Sequence, residues 1–452
     1  MGAFRDRRKE MGALDALYSS GKAGLVVLYG RRRVGKTSLI LELIGRHRGL
    51  YLLGRQETEL ENLRRFSEEV ATFFHDGVVR ANPFRNWDSL LLYLAGKWKE
   101  RRFILALDEF PYLVAANRSL PSILQDHWDS RLSKESAFLI LCGSSISMME
   151  ESLGYKSPLY GRRTEQMLLE PLGFSQASEF FPEGMAIGRK IEFYAVLGGT
   201  PAYLLEFDYA RALEHNLLAN CLQKTKFLYQ DALFVLREEL SEPRNYFAIL
   251  RAVSQGRTSL NDIVNGTGLD RGLVAKYLSV LIDLHLVERA LPVTEKGNSR
   301  KGIYLIRDSF FRFWFRFVHG NEAYIEQGKQ ELLLQEIILP GLPAFVGKAF
   351  EEIALEFLAP KFQKYLFGRW WDRGTEIDIV GISPQAAMFV EVKWKSLRLA
   401  ESRRIIGELK GKAEKVPLKH GIRRDYGLVA KSLEGKETLR SEGCLAFDLD
   451  DF

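Results

Sequence analysis

Residues 30–37 read Gly-Arg-Arg-Arg-Val-Gly-Lys-Thr (GRRRVGKT), a GxxxxGK[ST] stretch on which the reading of the fold turns. The apolar run Leu25, Val26, Val27, Leu28, Tyr29 precedes it, and a leucine-rich helical segment at 38–44 follows. A buried strand passing through a glycine turn into a helix N-terminus is the context in which this spacing carries chemistry. Gly30 and Gly35 let the backbone bend so that several N–H groups point inward and cradle phosphate oxygens. Lys36 is then expected at the β- and γ-phosphates, and the Thr37 hydroxyl on Mg²⁺. The stretch predicts a nucleotide site.

A second apolar run, 103–107, closes on Asp108 and Glu109. A strand adjacent to the loop strand would bring its C-terminal end to the same Mg²⁺, with Asp108 holding the ion and Glu109 orienting or polarising a water. A third run, 137–142, leads into Gly143, Ser144 and Ser145. Ser144 reads either as a sensor of the γ-phosphate or as a cap for the helix at 146–153. In the loop at 160–164, Arg162 or Arg163 either reaches a γ-phosphate, in the same chain or across a subunit boundary, or belongs to a basic surface loop. Strands alternating with helical segments make residues 1–185 an α/β domain with a mostly parallel sheet.

At 452 residues the chain has room for about three domains of roughly 150 residues. Hydrophobic residues make up 46% and charged residues 27%, which permits real cores and excludes a disordered chain. A formal charge of +6 permits a nucleic-acid partner without requiring one. Three cysteines without a CxxC pair suit a reducing compartment and argue against a thiolate zinc site. The N-terminus is charged rather than apolar, and no apolar run approaches 18 residues. A soluble, cytoplasmic protein without membrane association is expected.

Residues 187–240 read as helical with a break at Gly198-Gly199-Thr200-Pro201, which suits a lid over 186–242. From Pro243 the pattern shifts to short helices at 245–254, 259–265 and 270–286. Strand-like stretches at 287–293 and 302–306 flank a polar tip. Three helices and a hairpin outline a winged helix within 243–325. On it, Arg271, Lys276, Lys296, Arg300 and Lys301 are the expected phosphate contacts if DNA is the partner. The aromatic run 309–317 reads as a base-stacking platform or, in preference, a buried hinge helix. In the last domain, 326–452, strands at 376–380 and 388–394 carry Asp378, Glu391 and Lys393. Period-2 alternation puts Glu391 and Lys393 on one face. Two carboxylates and an ammonium converging there would bind Mg²⁺ at Asp378 and Glu391 and orient a water at Lys393 against a phosphate. A solvated strand face with an ordinary ion pair is the other reading.

Taken together, these stretches resemble the archaeal-type ATPase family within the STAND and AAA-like P-loop NTPases. Phe4, Asp6, Arg7 and Glu10 look like its N-terminal signature, near the adenine in related ATPases. Gly30, Arg31, Arg32, Arg33, Val34, Gly35, Lys36, Thr37 and Ser38 are similar to its nucleotide loop. LALDEF, ending at Phe110, is similar to its Walker B strand. Gly198–Pro201 resembles its GxP element, which implies Pro201 near the nucleotide. The C-terminal part is similar to PD-(D/E)xK nucleases, where Glu351, with Glu352 a rival, joins Asp378, Glu391 and Lys393; Ile377 stands where the nominal motif has proline. The resemblance implies a P-loop NTPase parallel sheet, a helical lid, a winged helix and a C-terminal α/β restriction-endonuclease-like domain. It also implies use of ATP and a nucleic-acid or defence role; with Mg²⁺ as the expected ion and DNA as the expected partner, a homo-oligomer and an action of Arg162 or Arg163 in its own chain or in a neighbour both stay open. Two functions follow: an ATP-driven switch or motor on DNA, or a regulatory scaffold with an inactive nuclease-like domain.

Overall fold

The computed structural model describes residue 5, residues 7–240 and residues 242–452; Phe4 and Asp6 lie outside the described residues. The chain forms two compact units, residues 1–171 with 200–202, and residues 172–199 with 203–452.

The first unit is built on five parallel strands: β1 (Gly24–Tyr29), β2 (Gly49–Leu53), β3 (Ile104–Asp108), β4 (Phe138–Gly143) and β5 (Glu165–Leu168), in the order β2-β3-β4-β1-β5. β1, β3 and β4 are buried at every position. Helices cover both faces of such a sheet, so its central strands read as continuous apolar runs rather than alternating ones. The strand order corrects one expectation. β3, which carries Asp108, is not adjacent to β1; β4 lies between them, pairing Val26 with Ile140 on one side and Ala106 with Ile140 on the other. Hydrophobic run length carries no information about lateral order, because all three strands are equally apolar. The consequence is that Ser144, one residue beyond β4, emerges between the loop and the Asp108–Glu109 end.

In the second unit, helices Pro243–Ser254, Leu260–Thr267 and Arg271–Asp283 precede an antiparallel pair, β6 (Val287–Ala290) and β7 (Ile303–Ile306). Ser259 and Asp270 cap the second and third helices, accepting from Asp262 N and from Gly272 N. The segment between β6 and β7 is not a free arm. Val293 N donates to Arg369 O at 2.8 Å, and the Lys301 ammonium sits 3.0 Å from Glu295 and 2.9 Å from Asp372. Lys301, one of the expected phosphate contacts, is paired here with these two carboxylates, and Arg271 donates to Asn261. Lys276, Lys296 and Arg300 stay exposed.

Phe310, Phe311, Phe313, Trp314, Phe315 and Phe317 are all buried, through helix Ser309–Phe313 and the π-helical turn Trp314–Val318. That burial removes the base-stacking reading. The helical run Gln330–Leu358 is long and apolar enough, by length and composition alone, to cross a membrane, a stretch that counting uninterrupted apolar residues had not singled out. One face of it, including Phe345, Val346, Phe350, Ile353 and Leu358, is buried. Its second half packs on the sheet β8 (Leu366–Asp372), β9 (Thr375–Ile382), β10 (Ala386–Leu397), β11 (Arg423–Leu433), β12 (Leu445–Phe447). The order is β12-β11-β10-β9-β8, antiparallel on the β8–β9–β10 side and parallel on the other.

Candidate nucleotide site and carboxylate cluster

The loop between β1 and helix Lys36–Arg46 owes its path to its glycines. Gly30 has φ +150°, and a Cβ there would lie 2.3 Å from Leu169 O; Gly35 has φ +97° and starts the helix. Neither position accepts a larger residue without strain. Lys36 is 4% exposed and donates to the carbonyls of Gly30 and Arg31, each at 2.8 Å. Burial pulls its ammonium below the usual lysine range, opposed by Glu109 and Asp108. An anionic phosphate would reverse that penalty, which is the electrostatic reason a buried lysine belongs here.

Asp108 is the hub of the site. It accepts from Thr37 Oγ1 at 2.8 Å and from the Tyr51 hydroxyl at 2.7 Å on one oxygen, and from Glu109 N at 2.9 Å on the other. Neighbouring strands are about 4.8 Å apart, so β3 lies about 10 Å from β1. Thr37 closes that gap because it starts the helix that crosses the sheet. Sequence reading missed Tyr51, on β2, whose phenol is held neutral by burial and by Asp108; its only signal was an interior tyrosine in a strand. Glu109 sits at φ +50°, and Ser144 grips its carboxylate with Oγ at 2.6 Å and N at 3.3 Å. The helix 146–153 is capped instead by Ser145, which accepts from Met148 N.

Arg7 does not stand free for a base. Its guanidinium donates to Val34 O in the loop at 2.8 Å, to Glu170 O at 2.6 Å and to Glu10 at 2.9 Å, tying the loop to the end of β5. Pro201 lies beside the loop, its Cγ 3.8 Å from where a Gly35 Cβ would be, and the adjacent Thr200 hydroxyl is buried without a partner among the described residues. Arg162 is not brought to the loop. It holds Asp129 at 2.8 Å and Pro158 O, while Arg163 stacks on Tyr160. The residues present fit a magnesium nucleotide: a buried ammonium, a positive-φ glycine loop, a hydroxyl–carboxylate pair for the ion, and an orphaned hydroxyl nearby.

In the second unit, Lys393 Nζ lies 3.1 Å from Asp378 and 2.6 Å from Glu391, and Asp378 also accepts from Val392 N at 2.8 Å. Burial raises Asp378, yet Lys393 and the Val392 N–H outweigh it and hold the carboxyl below its ordinary range. Glu391 has a second lysine, Lys412 at 2.7 Å, from helix Leu399–Ala413. Two ammonium groups thus occupy Glu391, and the three carboxylates that converge are Glu351, Glu376 and Asp378, with ligand atoms within 4.8 Å of one another. Burial and the Asp378 charge push Glu351 up to about 7 against Arg369 and Lys348. Glu352 is taken by Arg312. Glu351, Glu376 and Asp378 could hold a cation between them, but Glu351 is itself paired with Lys348 at 3.0 Å and Arg369 at 3.2 Å, as Glu391 is with its two lysines.

A strand-loop-helix of this geometry in a parallel sheet with carboxylates on β3 defines a P-loop nucleoside triphosphatase. Residues 4–207 match a family described as an ATPase domain predominantly from Archaea, and residues 314–405 one of archaeal and bacterial proteins of unknown function. The uncharacterized protein MJECL04 of Methanocaldococcus jannaschii is 34% identical over 462 residues, covering 99% of this chain and 100% of the relative. The uncharacterized ATP-binding protein MJ0423 of the same organism is 46% identical over 41 residues, 9% of this chain and 70% of that protein. Among solved structures, the Walker-type ATPase PABY2304 of Pyrococcus abyssi aligns with a TM-score of 0.53 and 23% identity. That alignment covers 69% of this chain and 96% of the other, a likeness of fold. The chain belongs to the archaeal P-loop ATPase family.

Proposed function

We propose that this ATPase drives or switches a DNA-associated module in its second unit. The observation that carries the reading is the Thr37–Asp108–Tyr51 cluster with Glu109 held by Ser144, in the same chain as a three-helix, two-strand module and a sheet bearing converging carboxylates. ATP would be held by the backbone of residues 30–38 with Lys36 at its phosphates, and Mg²⁺ by Thr37 and Asp108. When bound, the ion neutralises charge that develops on the transferred phosphoryl group. Glu109 orients a water, and Ser144 fixes the carboxylate that does so. Pro201 and Thr200 border the nucleotide.

The winged-helix reading of 243–306 and the nuclease-like reading of the C-terminal sheet belong to the same proposal. The exposed Lys276, Lys296 and Arg300 supply charge for phosphates, and Lys393 with Asp378 and Glu351 supplies a site for Mg²⁺-dependent phosphodiester hydrolysis. Turnover of ATP with and without DNA, in Lys36→Ala and in the parent chain, tests it. DNA-stimulated turnover abolished by Lys36→Ala supports the proposal, and turnover indifferent to DNA sinks it.

A second reading is favoured by one observation: Glu391 is clamped by Lys393 and Lys412. That pairing suits a regulatory scaffold whose nuclease-like domain does not cleave. Absence of Mg²⁺-dependent cleavage alongside slow, DNA-insensitive ATP turnover selects it.

A further inference from the structure

Helices Pro243–Ser254 and Leu260–Thr267 enclose, with His319, a recess of about 410 Å³. Arg244, Arg251 and Arg257 line it, together with Phe247, Gln255 and His319, and no carboxylate is among the lining residues. Elsewhere in the same unit arginines face acids, as Arg312 does Glu352 and Arg403 does Glu442. These three guanidinium groups have neither a carboxylate nor a hydrogen-bond acceptor among the described residues. Glu322, beside the lining residue His319, accepts from Gly320 N and bonds His319 Nδ1 at 2.7 Å. Two of the arginines lie over glycines: a Cβ at Gly266 would meet Arg257 Nη1 at 2.1 Å, and one at Gly320 would meet Arg251 Cζ at 2.4 Å. The glycines leave room for these two side chains.

Three like charges around one concavity repel each other unless a counter-anion joins them. Guanidinium groups match phosphate oxygens in geometry as well as charge. The volume is too large for a lone phosphate and falls in the range of about 300–1,000 Å³ typical of small-ligand pockets. Phe247, edge-on to Phe315 and His319, gives the recess an apolar wall. No lining residue comes from helix Arg271–Asp283 or from the segment between β6 and β7, where DNA contacts are proposed. We infer that this recess is a second anion site, taking a small ligand that carries two or more phosphates and a ring, such as a nucleoside diphosphate. Its lining residues all belong to the second unit, whereas the ATP loop belongs to the first.

The test uses the full chain carrying Lys36→Ala, which weakens the first nucleotide site about tenfold or more, titrated calorimetrically with ADP, inorganic pyrophosphate and a short single-stranded oligonucleotide at concentrations below those that fill the weakened loop. One ADP or pyrophosphate per chain is expected, and adding Arg251→Ala or Arg257→Ala should weaken it roughly 10- to 100-fold. With Lys36 intact, two ADP per chain should fall to one in Arg251→Glu/Arg257→Glu, which guards against misfolding of the Lys36→Ala background. Binding unchanged by the arginine substitutions overturns the inference. So does an oligonucleotide that binds through these arginines when ADP and pyrophosphate do not.

Discussion

Replacing Ser144 with alanine isolates the link between β4 and the Glu109 carboxylate, to which the proposal gives the water. The Ser144 hydroxyl donates to Glu109 at 2.6 Å, within the range of a charge-assisted O–H···O⁻ bond, at a position 9% exposed to solvent. Bonds to charged groups contribute about 1.5–3 kcal/mol, a factor of roughly 10–100 in rate if the loss falls on the transition state alone. The Ser144 N–H at 3.3 Å survives the substitution, so some orientation of Glu109 remains and the lower half of that range is expected. Steady-state ATP turnover and equilibrium binding of a nucleotide analogue separate the effects: kcat should drop while nucleotide affinity stays within about twofold of the parent. Unchanged or increased kcat would refute the reasoning, since Ser144 would then be neutral or would restrain Glu109. A loss confined to affinity would equally refute it, by placing Ser144 against the nucleotide rather than against Glu109.

Lys36→Ala should weaken ATP binding by about tenfold or more, because a buried ammonium facing phosphates is lost and nothing replaces it; retained affinity in a binding titration would count against the loop assignment. Tyr51→Phe removes one donor from Asp108 and should slow turnover several-fold and raise the Mg²⁺ concentration needed, read from a metal titration of the rate. Lys393→Ala leaves Asp378 without its ammonium while Lys412 still serves Glu391, so a loss of about 1–3 kcal/mol is expected in denaturant unfolding, less than for a fully broken buried pair. Burial raises the Asp451 carboxyl, but Asp448 N–H, Lys436 and Arg440 outweigh it and hold it at about 2. A lowered folded pKa gives stability present above the ordinary aspartate range and lost as pH falls through about 2. Asp451→Asn should therefore flatten the acid limb of the stability curve, and an unaltered limb would show that the cluster is idle.

The local parts of the ATP site were legible because each is a short, contiguous pattern. The loop at 30–37, the run closing on Asp108 and the run ending before Ser144 carry their geometry in adjacent residues. The short helices near 245–254, 259–265 and 270–286 were legible too, since the turn at 266–268 breaks the chain between the second and the third. The base-stacking option for 309–317 failed because six large rings in nine residues find more favourable burial inside the unit than exposure to water.

What the sequence determined by itself was which segments bend, which are buried, and which residue types stand at the ends of strands, since these follow from backbone freedom, apolar patterning and residue chemistry. Only the tertiary structure decided that β4 separates β1 from β3, that Tyr51 joins Asp108, and that Arg7 ties Val34 to Glu170. It likewise gave Lys412 to Glu391 and set Glu376 beside Glu351 and Asp378. Those pairings join positions far apart in the chain, and their partners are chosen by strand order and side-chain reach across a packed sheet, which no local pattern encodes.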